Sequence, residues 1–305
     1  MFRRPRQAAL CGALLLALPV PQALAHAVAG ARVFVNTDLI DDPGVGDEAN
    51  LPLISVQSPD ANSTATTANF EFDKTITPHL GFGIGDDLNW ITHDANDGNK
   101  THGGLGDLYT QLKYNWITLP QHEFMSSVQV SQAFGRTGTT GFESGYDTTT
   151  VSGYFGKGFG DIPWAPIRPF AITGELDYSI PNTGPSAGGG ITTWSGGLSL
   201  QYSIPYLQAQ VKDIGLRGVL AQLTPLAELS WSSAAGSTAL PGFSQPTSYL
   251  LGTGAVWTGT DYAVSAEVLW PLNGAAGHTI GAIAQLHLYF DDLLPNTLGK
   301  PISEW

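Results

Sequence analysis

Apolar and polar residues alternate with a period of two through much of this chain. In Leu108-Thr110-Leu112-Tyr114-Trp116 the interleaved positions are Asp107, Tyr109, Gln111, Lys113 and Asn115. That is the repeat of a strand, not the 3.6-residue repeat of a helix. The same arithmetic holds in Phe170-Ile172-Gly174-Leu176-Tyr178-Ile180, Trp194-Leu198-Leu200-Tyr202-Ile204, Tyr262-Val264-Ala266-Val268-Trp270 and Ile280-Ala282-Ala284-Leu286-Leu288-Phe290. Such segments predict twelve strands, at about 49–57, 67–77, 80–91, 105–117, 122–135, 147–160, 168–180, 190–204, 222–233, 247–258, 261–271 and 278–290. Pro52 interrupts the first, which is the weakest.

Strands of this length exceed the roughly five to six residues usual in soluble sheets. Aromatic residues also gather at their ends: Trp90, Tyr114, Trp116, Tyr178, Tyr202, Trp231, Trp257, Trp270 and Phe290. Both features favour an apolar face turned to lipid over the packed core of a soluble sandwich. The expected fold is all-β, an antiparallel transmembrane β-barrel of about twelve strands with both termini periplasmic.

Connection lengths support it, because such barrels alternate short turns with long outer loops. Thr77-Pro78-His79, Ile117 to Gln121 and Gly259-Thr260 are tight, whereas 92–104, 136–146, 181–189 and 234–246 are long and polar. Segments 272–277 and 205–221 break the alternation. The second carries Leu207, Val211, Ile214, Leu216 and Leu220 with Lys212 and Arg217, which suits an amphipathic helix, a plug-like insertion or an elongated turn.

The N-terminus refines the compartment. Arg3, Arg4 and Arg6 precede an apolar run from Ala8 to Val20 and an Ala23-Leu24-Ala25 cleavage motif, the pattern of a secretory signal peptide. The run is too short to span a bilayer as a helix. Cys11 falls inside it, and Leu10 stands where a lipoprotein signal wants a small residue, so the mature chain has no cysteine and no disulfide. The expected organisation is a signal peptide at 1–25, an N-terminal periplasmic segment at 26–48, the barrel at 49–290 and a periplasmic tail at 291–305. Pro295 and Pro301 make the tail a poor strand.

Charge bears on partners. The 13 Lys+Arg include the three signal-peptide arginines, so the mature chain carries 10 against 26 Asp+Glu, a formal −16. Nucleic acid is not an expected partner. Charged residues are only 13% of the chain, while it has 37 Gly, 13 Phe, 10 Tyr and 8 Trp, which excludes acidic disorder.

The signal peptide, Asp41-Asp42-Pro43-Gly44-Val45-Gly46-Asp47-Glu48-Ala49-Asn50, Phe70-Glu71-Phe72, Thr77-Pro78 with Leu80-Gly81, and Pro120-Gln121-His122-Glu123-Phe124 together give a pattern-level resemblance. The chain resembles the outer-membrane barrels grouped with the meta-pathway phenol-degradation transporters. That resemblance implies passive uptake of small compounds, aromatic or apolar ones among them, and brings no catalytic motif.

The polar face assigns Glu71, Asp73, Asp107, Glu175, Asp177, Glu228, Glu267, Gln285 and His287 to the lumen, with Lys113 as the clearest inward base. Asp87, Glu123 and Asp261 fall on the same face. Such a wall favours cations if the lumen is open. The alternative is that these groups bond to Gln111, Gln129 and Gln201 and fill a narrow barrel. Twelve strands give a bore between the side-chain-filled eight-stranded barrels and porins.

Other chemistry is weaker. His26 would become an N-terminal copper ligand if cleavage follows Ala25, but that chemistry needs at least one more inward-set histidine close by, and cleavage after Ala27 would delete the ligand. Asp41, Asp42, Asp47 and Glu48, and Asp94-Ala95-Asn96-Asp97-Gly98-Asn99, depart from Ca²⁺-loop spacing. Gly156-Lys157-Gly158 and Gly98-Asn99-Lys100-Thr101 lack the full phosphate-loop string. His287 near Ser265 is the one pairing a hydrolase could use. The expectation is a non-enzymatic channel for small solutes without a cofactor, in the outer membrane of a Gram-negative bacterium. Its partners would be outer-membrane lipids, the barrel-assembly machinery and the solute. The alternatives are a structural or assembly barrel without flux and a lipid-modifying enzyme using His287.

Overall fold

Segments whose side chains alternate between two environments pair edge to edge until no edge remains. The computed structural model, which describes residues 27–93, 100–183, 190–235 and 246–305, does this with twelve wall strands. After a short hairpin of β1 (Ala27–Ala29) and β2 (Arg32–Phe34) come β3 (Glu48–Gln57), β4 (Ser63–Thr77), β5 (Leu80–His93), β6 (Thr101–Leu105) and β7 (Tyr109–Leu119). There follow β8 (Phe124–Ala133), β9 (Thr148–Gly158), β10 (Phe170–Pro181), β11 (Thr193–Tyr202), β12 (Leu223–Ala234), β13 (Ser248–Thr258), β14 (Tyr262–Pro271) and β15 (Gly281–Tyr289). Each wall strand is antiparallel to the next, and β15 pairs with β3 to close an all-β barrel.

The expected fourth strand is split in two. Leu105 ends β6, which pairs only with the far half of β5, and β7 takes over pairing with the near half. Pro52 leaves its mark as a register shift between Asn50 and Leu53, matched by one between Gln285 and His287. Proline has no N–H for the ladder, so the strand steps around it.

The two faces separate as the period-two pattern requires. Leu112, Trp116, Val130 and Leu198 are among the outward side chains and are about half exposed, whereas their neighbours Gln111, Asn115, Gln129 and Ser199 are buried. Tyr114, Trp116, Tyr202, Trp257 and Tyr262 ring one end of the outer face, and Trp90, Tyr178, Trp194, Tyr249 and Trp270 ring the other. Some of them stack, Tyr178 on Trp194 at 4.5 Å and Trp257 on Tyr262 at 5.4 Å between ring centroids. An apolar band between two aromatic girdles is the surface of a barrel that crosses a membrane with strands. Among the described residues no helix is long and apolar enough to do so.

One end, here the turn end, holds connections 78–79, 120–123, 159–169, 203–222 and 259–261. The opposite, loop end holds connections such as 58–62, 134–147 and 272–280, so long connections occur at both ends and the longest, 203–222, lies at the turn end. Segment 205–221 is neither a plug nor one amphipathic helix. It is a broken turn with α1 (Ile204–Tyr206), a π turn at Leu207–Val211 and a 3₁₀ turn at Gly218–Gln222, and Tyr206 is its one buried side chain among these pieces. The tail starts with α2 (Phe290–Leu293) and folds back on the rim, where Lys74 Nζ donates to the carbonyls of Leu298 and Lys300.

The principal departure from expectation lies before β3. The stretch 26–48 was expected outside the barrel, but from Ala27 to Asp47 it is inside. Ala29, Arg32, Phe34, Val35, Ile40, Asp42 and Asp47 are buried, although nothing in their own stretch could bury them. They are covered by the inner wall.

Candidate functional site: a plugged lumen

The plug enters at the turn end as the β1–β2 hairpin, rises to mid-barrel at Leu39–Asp41, and returns to start β3. Gly30 turns the hairpin with φ +68, in a left-handed conformation that suits glycine, and packs against the Pro120 carbonyl. Arg32 then reaches the wall. Its Nε donates to Glu123 Oε2 at 3.2 Å, its Nη1 donates to the Pro169 carbonyl at 3.1 Å, and the guanidinium lies 3.7 Å from the centre of the Tyr206 ring. Tyr206 Oη donates to Glu123 Oε1 at 2.6 Å, which completes a clasp at the turn end.

Beyond the clasp, wall glycines receive plug hydrophobes. A Cβ on Gly156 would stand 3.0 Å from Phe34, on Gly197 2.7 Å from Ile40, on Gly252 3.0 Å from Leu39, and on Gly81 2.9 Å from Val45. Each of these glycines is on the inner face, so its missing side chain is a recess in the wall. Wall carboxylates take the plug's backbone instead. Glu228 Oε2 accepts from Leu39 N at 2.9 Å, Glu175 Oε2 from Asp41 N at 2.9 Å and Glu267 Oε1 from Asp38 N at 3.4 Å.

The ten residues assigned to the lumen divide accordingly. Glu175, Glu228 and Glu267 hold plug amides, as described. Lys113 Nζ donates to Asp41 Oδ2 at 2.8 Å and to the Asp42 carbonyl at 2.6 Å. His287 accepts from Asn36 Nδ2 at 3.0 Å and donates from Nε2 to Glu48 at 2.8 Å, contacts that the neutral Nε2–H tautomer satisfies. Glu71, Asp73, Asp177 and Gln285 bond within the wall, to Tyr109, Gln111, Ser195 and Asn50 respectively. Asp107 differs. It precedes β7 and accepts from Ser144 N at 2.6 Å, bracing the 134–147 loop at the loop end.

The hydrolase-like pair is not brought together. Ser265 donates to Asp38, His287 is engaged by Asn36 and Glu48, and the two residues face Gln285 and Ala263 across the β14–β15 ladder. The acidic run of the plug is likewise dispersed: Asp41 goes to Lys113, Asp42 to Gly44 N, Asp47 to Thr75 and Lys74, and Glu48 to His287. His26 and Asp94–Asn99, and with them the signal peptide, lie outside the described residues.

Cavities adjoin the plug toward both ends of the barrel. At the turn end a space of about 530 Å³ is lined by Val33 and Val35 of the plug, Tyr206 and Trp257. Toward the loop end a space of about 410 Å³ has Leu39 on its floor and Glu175, Asp177, Ser195, Ser232 and Ser248 on its walls. Sequence reading missed the plug, although two signals pointed to it. Ala27-Val28-Ala29 and Val33-Phe34-Val35 are too apolar for a solvated leader, and inward glycines without partners call for something to fill their recesses.

Fold and site together define a closed, membrane-spanning β-barrel carrying its N-terminal segment as an internal plug. No protein-family model matches the chain, and no curated protein matches it in sequence. Similar solved structures are barrels. A KdgM porin is 7% identical with a TM-score of 0.43, over 78% of this chain and 98% of that one. LpxR from Salmonella typhimurium is 10% identical with a TM-score of 0.44, over 80% of this chain and 100% of that one. The translocator domain of autotransporter NalP from Neisseria meningitidis is 10% identical with a TM-score of 0.41, over 79% and 86%.

Proposed function

We propose that this protein is an outer-membrane channel for small solutes whose resting state is closed by its own residues 27–47. One observation carries the reading: the plug is held at mid-barrel by polar wall groups that water can replace, the Glu175, Glu228 and Glu267 carboxylates on its backbone amides. A lumen of that kind stays wettable when the plug withdraws. The inner wall then presents Glu71, Asp73, Glu175, Asp177, Glu228 and Glu267 against Lys113 and His287, so the conduit favours cations. The resemblance to the meta-pathway phenol-degradation transporters agrees with passive uptake and with a channel rather than an enzyme. In this reading the turn end and both termini are periplasmic, the assembly machinery inserts the barrel, and outer-membrane lipids surround it.

The buried Arg32–Glu123 clasp favours a second reading, a permanently filled structural barrel without flux. Planar-bilayer recordings separate the two. A variant lacking residues 27–46 is expected to conduct, with a reversal potential on the cation side in a salt gradient. A folded plugless barrel that carries no current overturns the channel, and an anion-side potential overturns the lumen charge.

A further inference from the structure

Three carboxyl groups meet at the top of the plug with too few donors among them. Asp38, Glu228 and Glu267 are all buried, and each has one bonded oxygen: Asp38 Oδ1 accepts from Ser265, and the two glutamates accept from plug amides. The other oxygens, Asp38 Oδ2, Glu228 Oε1 and Glu267 Oε2, are buried without a donor. The Ser199 hydroxyl stands directly opposite Glu228 across β11 and β12, close enough to donate to one of its oxygens, so the shortage is of donors for all three groups at once. Glycines on the intervening β13 make the meeting possible. Glu228 pairs with Gly252 and Glu267 with Gly254, and the space a Gly252 Cβ would take is occupied by Glu267 Oε2. The two glutamates lie within hydrogen-bonding reach of one another.

A buried carboxylate oxygen without a donor is costly unless a proton or a cation satisfies it. Among the described residues no salt bridge reaches any of the three, and no group of three such side chains is arranged to hold a metal ion. The neighbouring elements bring no free base. On β11 the facing groups are Ser199 and Gln201, on β13 glycines, and on β15 Gln285 and His287, the latter committed to Asn36 and Glu48. Lys113 is committed to Asp41 and Asp42, and the next acids, Glu175 and Asp177 on β10, add only negative charge.

We propose that Asp38, Glu228 and Glu267 form a proton-binding site that latches the plug, seated while they share protons and released when they ionise together. The inference rests on the plug being the gate, but seating can be read without current. Burial, opposed by the Ser265 hydrogen bond and reinforced by the Glu228 charge, pushes Asp38 up to about 6. The sign follows: a raised acid favours the seated state fully below its ordinary value near 4, and that contribution is lost as pH rises through about 6. For Asp38 alone this is a roughly 100-fold change in the seated-to-released ratio.

The test compares the Ile40→Cys barrel, otherwise free of cysteine once processed, with the same barrel carrying Asp38→Asn, Glu228→Gln and Glu267→Gln. Maleimide labelling of Cys at position 40 is followed from pH 5 to pH 8.5, so that intrinsic thiol reactivity cancels between the two. Labelling is expected to accelerate with pH in the first and to rise at least ten-fold less in the neutral-seat protein. Equal pH profiles, or faster labelling in acid, overturn the latch. Should the triple variant fail to fold, Asp38→Asn alone is expected to remove the roughly 100-fold part of the pH response assigned to Asp38, and an unchanged slope overturns the proposal equally. PH-dependent labelling without pH-dependent current would leave the latch standing and remove the channel.

Discussion

At the residue scale, most depends on Arg32. It is the one plug cation buried against the wall, and it satisfies Glu123, which Tyr206 and the Gly160 amide also engage. Removing one partner of such a buried pair leaves the other uncompensated, at a cost of about 3–5 kcal/mol. Arg32→Ala is therefore expected to unseat the hairpin while leaving the strands paired. Protease cleavage within 27–47 of the folded barrel would report this, and an unchanged cleavage rate would count against the clasp. Gly156 offers a complementary test, since the atoms nearest a Cβ there all belong to Phe34 of the plug, and Gly156→Val is expected to have the same effect with every polar contact intact. Neither residue was legible from sequence. Nothing in the sequence marked Arg32 or Gly156 as a contact between plug and wall. Their roles exist only once Arg32 reaches Glu123, 91 positions on, and Phe34 reaches Gly156, 122 positions on.

At the scale of elements, the wall was legible and the plug was not, for a physical reason. A wall strand separates two unlike media, lipid and a polar interior, and each residue reports which it faces. The alternation of Leu112 with Gln111 or of Leu198 with Ser199 is thus written locally. A plug meets only protein, so its sequence is a mixture, Phe34 and Ile40 for recesses and Asp38 and Asp41 for bonds, with no period to read. The same distinction explains Asp107, whose alternation continues past the end of the ladder into a loop contact. It also predicts an asymmetry within β11. Leu198→Arg at the centre of the outer face is expected to lower barrel stability by about 2–4 kcal/mol in urea titrations in lipid vesicles. Ser199→Ala, one residue on and facing inward, removes a hydroxyl beside Glu228 without touching the lipid face and is expected to cost only about 1 kcal/mol. Equal losses at the two positions would mean that the faces are misassigned.

At the scale of the whole molecule, the barrel is a closed wall around its own leader. The wall is sealed by the β15–β3 ladder, and the leader runs into β3, so the strand that closes the barrel also tethers the plug. That tether is what the proposed gate requires, a plug that leaves the lumen without leaving the protein. Its release needs the Arg32 clasp, the glycine recesses and the carboxyl seat to give way together, which makes two discrete states more natural than gradual leakage. The most direct test of this account is a reversible covalent lock in a chain whose one cysteine, Cys11, is replaced by Ser. Asp38→Cys with Ser265→Cys places a disulfide where the plug and β14 are in side-chain contact. Oxidised barrels in planar bilayers should be silent at every pH, and reduction on the same membrane should restore current. Equal conductance before and after reduction would show that solutes do not pass where the plug stands, and the account would fall.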